Sequence, residues 1–243
     1  MKKLYERYHS KRKSQKRLID ENDFTYRSLI HFIKKYVQVN DKVLDIGCGV
    51  GTIDFYLAKR GCNIIGLDIS KQAISVAKSD SKNFGLNHKI KFFVQNFPNT
   101  NIKEKFEVII CSEVLEHLPQ DKLAIRKIRN LLVKNGVVIA SSPSENAPLY
   151  KVGILNNFDS SVGHLRRYTE KSFRNLFEYA GFNILETNKT EGVIRNFLFT
   201  NQLGGFLLRI LNKWPISNVV TVLDNLTIRL LGESNIYLVA EKK

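Results

Sequence analysis

Two carboxylates and an imidazole lie close together in the segment Cys111-Ser112-Glu113-Val114-Leu115-Glu116-His117-Leu118-Pro119. A second histidine, His164, follows further along the chain. Mixed oxygen and nitrogen ligands of this kind suit a divalent ion such as Mg²⁺, Mn²⁺ or Zn²⁺. Without a metal, His117 or His164 is the expected general base, because imidazole titrates near neutrality. The structural alternative is that His117 packs its loop and His164 orders a lid.

A second segment that could take part in chemistry is the apolar run Val43 to Ile46. It contains Asp45 and is followed by glycines at 47, 49 and 51. Glycines let the backbone turn sharply and approach a ligand closely. Thr52 stands where the dinucleotide fingerprint G-x-G-x-x-G has its third glycine, and that fingerprint places no acid before its first glycine. The next apolar run ends in Asp68, where a carboxylate can accept hydrogen bonds from two ribose hydroxyls. The pattern predicts a nucleotide-cofactor site, with helix or turn capping by the two acids as the alternative.

Together, the glycine loop, its leading acid and the second acid resemble the S-adenosylmethionine-dependent methyltransferases of the Rossmann-like class. The resemblance implies that the methionine end of the cofactor binds at Asp45 and the 47–51 loop, that Asp68 binds the ribose, and that S-adenosylhomocysteine is the product. Asn96 stands where this family often has an acid beside the adenine amine. The remaining expected cofactor contacts are Gly47, Cys48, Gly49, Gly51, Ile69, Phe97 and Ser112.

The E-x-x-E-H segment and the later histidine are similar to two narrower groups, the ubiquinone-pathway O-methyltransferases and the small-RNA terminal 2′-O-methyltransferases. Part of this match is shared across the whole class. The resemblance implies a metal that lowers the pKa of the acceptor hydroxyl and fixes its aim. Its ligands would be Glu113, Glu116, His117 and His164, with Glu113 also a candidate catalytic group.

Candidate substrate contacts lie beside the second histidine, at Arg166, Arg167 and Tyr168. A guanidinium pairs bidentately with a carboxylate or phosphate, although an ion pair with a neighbouring helix is the alternative. The basic leader adds Tyr5, Tyr8 and His9, which are predicted to contact the site as part of an N-terminal cap over residues 1–36.

Alternating strand and helix patterns predict a doubly wound, seven-stranded parallel α/β sheet within a single domain of residues 1–243. Ser70 and Thr169 are predicted N-caps, and four glycines at 61, 85, 136 and 181 are predicted helix stops. The predicted strands are Lys42 to Ile46, Asn63 to Leu67, Ile90 to Gln95, Phe106 to Cys111, Val137 to Ser141, Phe182 to Thr187 and Ile236 to Glu241. The predicted helices are Tyr26 to Tyr36, Ile53 to Arg60, Lys71 to Phe84, Gln120 to Lys134 and Glu170 to Ala180.

Two segments fall outside this core. Pro143 to Tyr168 follows the fifth strand and is predicted to be an irregular substrate loop over the strand ends. Val193 to Leu231 is an apolar insertion between the last two strands, predicted as two short amphipathic helices that wall a pocket, lie on a membrane, cap the sheet or form a homodimer interface. Its longest charge-free run, Asn196 to Leu208, is much shorter than the ~20 residues of a membrane span.

The chain has 243 residues and a net charge of +15. This charge favours polyanions or an anionic membrane surface as partners. No signal-peptide pattern occurs in the first thirty residues, so a cytoplasmic location, with or without peripheral membrane contact, is the default expectation. Three cysteines without C-x-x-C spacing are expected as core residues.

These observations favour an S-adenosylmethionine-dependent O-methyltransferase acting on a small amphipathic or anionic acceptor, such as a quinone precursor, a lipid or a lipid-linked sugar. A terminal-ribose RNA methyltransferase is the second hypothesis, supported by the charge and the possible metal cluster. The sequence contains no appended RNA-binding module, and the apolar insertion does not suit an RNA track. A non-catalytic binding protein with the same fold is the third.

Overall fold

The computed structural model describes residues 14–200, 202–211 and 216–243. Seven strands form one sheet in the order β3-β2-β1-β4-β5-β7-β6. Strand β7 is antiparallel to β5 and to β6, whereas the other neighbouring pairs are parallel. The strands are β1 (Lys42–Ile46), β2 (Asn63–Asp68), β3 (Ile90–Val94), β4 (Phe106–Ser112), β5 (Leu132–Pro143), β6 (Phe182–Thr190) and β7 (Asn235–Lys242). The predicted seven-stranded Rossmann-like sheet is confirmed, but β7 is antiparallel, contrary to the predicted parallel sheet.

Helices cover both faces of this sheet, as predicted for a doubly wound fold. Five helices follow the expected pattern: α1 (Arg27–Tyr36), α2 (Thr52–Lys59), α3 (Lys71–Asn83), α4 (Asp121–Leu131) and α7 (Glu170–Glu178). The Ser70 hydroxyl accepts from the Ala73 amide at the start of α3, and Thr169 forms a reciprocal capping box with Ser172 at the start of α7. Both predicted N-caps are therefore confirmed.

The core lies in two layers because successive strand residues point to opposite faces of the sheet. Leu44 and Ile46 of β1 pack with Phe106 and Phe173 on one face. Val43 packs on the other face, among residues that include Phe55 and the buried stripe of α1. A central strand buried on both sides is mostly apolar, as Val43, Leu44 and Ile46 are, which explains why β1 was predicted with its observed bounds.

Helix α4 ends earlier than predicted. It stops at Leu131, and Leu132 already pairs with Phe106 of β4 at the start of β5. Gly136 therefore lies within β5 and does not end a helix. A Cβ at this position would lie 3.1 Å from the carbonyl oxygens of Phe106 and Glu107, so the glycine permits a close approach of β5 to β4.

The segment after β5 is more regular than predicted. It contains two short helices, α5 (Pro148–Lys151) and α6 (Asn156–Val162). The Tyr168 amide donates to the Pro143 carbonyl over 3.1 Å, so the two ends of the segment are joined and it folds back over the strand ends.

In its described residues, the insertion between β6 and β7 has three helices, not two: α8 (Val193–Thr200), α9 (Gln202–Leu211) and α10 (Ile216–Leu231). Asp224 of α10 is fully buried and accepts from the amides of Gly192, Ile194 and Arg195 over 2.9 to 3.0 Å. This carboxylate caps the start of α8 and lies 3.8 Å from the buried Arg195 guanidinium. The insertion is therefore held together by a buried polar network.

No helix in the described ranges combines the length and apolar character needed to cross a membrane. The leader residues Tyr5, Tyr8 and His9 lie outside the described residues.

We predict that Asp224→Ala lowers the free energy of unfolding by about 3 kcal/mol, because it removes three hydrogen bonds and leaves Arg195 buried without this partner. Urea denaturation measures the change. Asn225→Ala, at the exposed neighbouring position, is the matched control and should have little effect. Equal stabilities for the two variants would contradict this role of Asp224.

Candidate functional site

The glycine loop lies at the carboxyl end of β1, between β2 and β4, where the strand order changes direction. Ligands bind at such switch points in open α/β sheets. Gly47, Gly49 and Gly51 all have positive φ angles, of 77°, 56° and 81°. A Cβ on Gly47 would lie 2.4 Å from the Val114 side chain, so both backbone conformation and space require glycine there.

The larger of two neighbouring cavities, about 880 Å³, lies beside this loop. It contains the second predicted acid, Asp68, whose carboxylate accepts from the Gly49 amide over 3.0 Å and the Ser70 amide over 2.8 Å. Other predicted cofactor contacts lining this cavity are Gly47, Gly49, Ile69, Asn96 and Phe97. The structure therefore brings the expected ribose and adenine contacts together.

The smaller cavity, about 460 Å³, lies on the other side of the loop. Predicted residues lining it are Asp45, Gly47, Cys48, Gly49, Ser112, Glu113, His117, His164 and Arg167. Helix α1, the α6 region, the insertion and β7 supply the rest of its wall. Gly47, Gly49, Glu113 and His117 line both cavities, so the two spaces meet at these four residues. We call this meeting place the seam.

Glu113 is held at the seam by its neighbours. The Ser141 hydroxyl and the Asn235 side-chain amide donate to its Oε1 over 2.9 and 2.8 Å. Its backbone has a φ of 57°, which is uncommon for a residue other than glycine. Such a constrained conformation indicates that the surrounding structure fixes this carboxylate in place.

His117 and His164 lie together, with ring centroids 4.8 Å apart. His117 Nδ1 lies 3.0 Å from the Gly163 carbonyl oxygen, and His164 Nδ1 lies 2.9 Å from Asp159 Oδ1. A carbonyl oxygen only accepts, so neutral His117 carries its proton on Nδ1 and a lone pair on Nε2. Burial lowers the pKa of His117 to about 4, with a further contribution from His164, which keeps the ring neutral at physiological pH.

Glu116 completes a group with the two histidines, with one potential ligand atom from each residue lying within 4.8 Å of the others. Its side chain is fully buried, and Ser142 donates to Oε2 over 3.0 Å. The other oxygen, Oε1, has no hydrogen-bond partner and lies 3.6 Å from His117 Nε2. Burial, and then the charge of Glu113, raises the pKa of Glu116 well above its usual range. Glu113 itself lies outside this group, so the structure brings together three of the four predicted metal ligands.

The three predicted substrate contacts are placed differently from one another. Arg166 lies 2.8 Å from Asp121, and the Tyr168 hydroxyl donates to the same carboxylate over 2.8 Å. Neither residue lines either cavity in the described structure, because both are held at the start of α4. Arg167 does line the smaller cavity, but its guanidinium makes a bidentate pair with Asp159 and stacks over the Tyr150 ring.

Asp45 is accompanied by an acid that the sequence did not indicate. Asp54 of α2 is fully buried, and its carboxyl lies within hydrogen-bonding reach of the Asp45 carboxyl. Burial raises the pKa of Asp54 to about 7 and, together with the charge of Asp54, raises that of Asp45 well above its usual range. Two buried carboxyls this close favour sharing a proton until a cation approaches.

The smaller cavity also contains two polar residues that the sequence did not single out, Glu191 and Asn235. Glu191 follows β6 with a φ of 62° and lies 4.0 Å from Arg195. Burial raises the pKa of Glu191 from 4.5 to about 7 despite this cation. Asn235 Oδ1 is buried without a hydrogen-bond partner. No local pattern marks either residue, because the antiparallel pairing of β6 with β7 brings them together from the two ends of the insertion.

Residues 38–189 match the family model described as a methyltransferase domain. The chain belongs to this family. Curated relatives include the ubiquinone biosynthesis O-methyltransferases of Actinobacillus pleuropneumoniae, 35% identical over 47% of this chain and 50% of the relative, and of Pelagibacter ubique, 34% identical over 57% and 56%. The chain spans about half the length of the curated relatives it matches.

Solved structures show the same fold. Magnesium protoporphyrin IX methyltransferase from Synechocystis with bound S-adenosylhomocysteine aligns over 98% of this chain and 93% of its own, with a TM-score of 0.64 and 17% identity. A structure titled a putative sarcosine dimethylglycine methyltransferase from Galdieria sulphuraria aligns over 90% and 85%, with a TM-score of 0.68 and 14% identity. The fold is that of the S-adenosylmethionine-dependent methyltransferases, which confirms the class predicted from the glycine loop and the two acids.

We predict that Glu191→Gln stabilises the protein at high pH only. A carboxyl with a raised folded-state pKa stabilises the fold below its unfolded pKa, and this stabilisation is lost as the pH rises through about 7. The variant should match the wild type at pH 4.5 and exceed it by up to about 3 kcal/mol at pH 8.5. Denaturant unfolding at both pH values measures the difference.

Glu145→Gln, at an exposed position, is the matched control and should change stability little at either pH. A difference between Glu191→Gln and wild type that does not vary with pH would show that the Glu191 carboxyl is not buried as described.

Proposed function

We propose that the chain transfers a methyl group from S-adenosylmethionine to a hydroxyl oxygen of a small acceptor. The observation that carries the proposal is the seam, where two cavities meet at Glu113 and His117. One cavity has the predicted nucleoside contacts, and the other offers separate space for a second molecule. Transfer between two bound molecules requires such a junction, because the acceptor must approach the methyl group from the side opposite the sulfur.

For the cofactor, the adenosine occupies the larger cavity, with the ribose on Asp68 and the adenine beside Ile69, Asn96 and Phe97. The methionine end lies along the glycine loop toward Asp45. The ammonium group of the cofactor provides a cationic partner for the Asp45 and Asp54 carboxyls, and its charge favours their ionised forms. Binding of S-adenosylmethionine therefore releases a proton from this pair of carboxyls to the solvent.

The reaction needs one bond to form and one to break. The acceptor oxygen attacks the sulfonium methyl, the carbon–sulfur bond breaks, and its electron pair neutralises the sulfur to give S-adenosylhomocysteine. Without a bound metal, His117 Nε2 accepts the hydroxyl proton, since Nδ1 already donates to Gly163. Glu113, fixed by Ser141 and Asn235, orients the hydroxyl from the opposite wall of the seam.

The group of Glu116, His117 and His164, which shares His117 with the seam, also fits a divalent metal. Glu116 Oε1 is buried without a hydrogen-bond partner, and both histidines have their Nδ1 atoms beside acceptors, Gly163 and Asp159, as is usual for metal-binding histidines. Glu116, His117 and His164 would hold the ion. When bound, it would lower the pKa of an acceptor hydroxyl.

The metal proposal is tested by calorimetric titration of chelator-treated protein with Mn²⁺ and with Zn²⁺. We predict one ion per chain and a loss of affinity of about ten-fold or more in Glu116→Gln. Glu113→Gln is the matched control and should keep the affinity, because Glu113 lies outside the group. Equal binding by wild type and Glu116→Gln, or no binding by either, would remove the metal from the account.

The acceptor that fits the smaller cavity is a small molecule with apolar and polar parts, such as a quinone precursor, a lipid or a lipid-linked sugar. Phe158, Val162 and Phe199 offer apolar contacts, while Glu191 and Asn235 Oδ1 can accept hydrogen bonds from hydroxyls. The names of the curated relatives favour oxygen as the methylated atom. Family membership and the cavity lined by the predicted cofactor contacts give less support to the non-catalytic hypothesis. No described feature favours RNA over a small acceptor.

We predict that His117→Ala lowers kcat by about 100-fold or more while changing the affinity for S-adenosylhomocysteine little, because the imidazole acts on the acceptor proton. Transfer of labelled methyl from S-adenosylmethionine to a panel of alkyl-substituted phenols and catechols measures the rate. Calorimetry measures cofactor affinity separately.

His88→Ala, which removes an exposed histidine, is the matched control and should keep full activity. Unchanged kcat in His117→Ala would remove this residue from proton transfer. Absence of methyl transfer by wild type to every member of the panel would contradict the proposed acceptor class.

A further inference from the structure

Helix α10 has its polar side buried and its apolar side exposed. Ser217 and Asp224 are fully buried. Arg27 donates to the hydroxyls of Ser217 and Thr221, and the Val193 amide donates to Thr227. This row, spaced by three and four residues, marks one side of the helix as the inward side. A helix packed by the hydrophobic effect alone would be turned the other way.

The outward side of α10 is a continuous apolar stripe. Its five members are 51% to 87% exposed: Val219, Val222, Leu223, Leu226 and Leu230. Leu203 and Phe206 of α9 and Phe197 of α8 are also exposed. A soluble monomer rarely leaves so many large apolar side chains together in water, so this face is built to be covered. We call the five residues of α10 the outer stripe.

The charge of the insertion identifies what covers the outer stripe. Between Val193 and Leu231 the sequence contains a single acidic residue, Asp224, and that residue faces inward. The cations in the same range of the sequence are Arg195, which is buried, and Arg209, Lys213 and Arg229, of which Arg229 is exposed in the described structure. Two copies of this surface facing each other would bring like charges together without an acid to balance them. An anionic lipid surface offers both the missing negative charge and an apolar layer.

We propose that the insertion binds anionic lipid bilayers through the outer stripe, with α10 lying in the plane of the interface. The helices of the insertion also form part of the smaller cavity, through Asn196, Phe199 and Thr200. Docking therefore places one wall of that cavity at the membrane. On the proposed function, from which this last step follows, the acceptor is a lipid-borne molecule that enters the cavity from the bilayer.

The chain contains a single tryptophan, Trp214, two residues before α10 in the sequence. Its emission therefore reports on the surroundings of the insertion without an added label. We expect a blue shift of Trp214 emission and co-flotation of the full-length protein with vesicles of phosphatidylglycerol and phosphatidylcholine. Vesicles of phosphatidylcholine alone should give less of both, and raised salt should weaken binding to the anionic vesicles.

The test variant is Val222→Ser with Leu226→Ser, and the matched control is Leu123→Ser with Tyr179→Ser, which removes two exposed apolar side chains from α4 and from the end of α7. The test variant should lose about ten-fold or more of its affinity for anionic vesicles, whereas the control should bind like the wild type. Both should bind S-adenosylhomocysteine normally, which separates failure of membrane docking from failure of the proposed function.

Absence of flotation and of a blue shift with anionic vesicles would overturn the proposal. Equal binding by the test variant and the control would overturn the role of the outer stripe. A concentration-dependent dimer of the wild type, seen in sedimentation without lipid and lost in the test variant, would assign the stripe to a second copy of the chain instead.

Discussion

The site depends on one carbonyl oxygen at the end of β2. The Leu67 carbonyl accepts from the amides of both Gly47 and Cys48, over 2.7 and 3.0 Å. These bonds hold the glycine loop against β2, one residue before Asp68. This turn is possible only because Gly47 has a positive φ and no Cβ to meet Val114. Val114 belongs to the same segment as Glu113 and His117. The packing that forms the cofactor loop therefore also places the acceptor-side groups next to it.

The parts of this arrangement that are local in sequence were predictable. Asp45, the alternating glycines and Asp68 all belong to single strand-to-turn junctions, and parallel strands bring such junctions to one edge of the sheet. The strand β1 and the caps Ser70 and Thr169 were predicted for the same reason, since each depends on neighbours a few residues away. Glu191 and Asn235 were not, because their places in the site depend on contacts between segments distant in the sequence.

The orientation of the insertion helices could not be predicted for a different reason. Its apolar spacing correctly predicted amphipathic helices, but spacing alone does not say which side faces the protein. The inward side of α10 is determined by Arg27 and the buried Arg195, which need polar partners more than the apolar residues need cover. Arg195 also stacks over the Phe24 ring with its guanidinium carbon 4.4 Å from the ring centroid. The buried Arg195 thus orients the polar side of α10 inward and leaves its apolar side exposed for contact with another surface.

The central claim is that the larger cavity beside the glycine loop binds the nucleoside of S-adenosylmethionine, with Asp68 as its ribose contact. Calorimetric titration with S-adenosylhomocysteine tests it most directly. The account predicts saturable binding of one molecule per chain, weakened about ten-fold or more in Asp68→Ala. Absence of binding by the wild type, or equal affinity in Asp68→Ala, would contradict it.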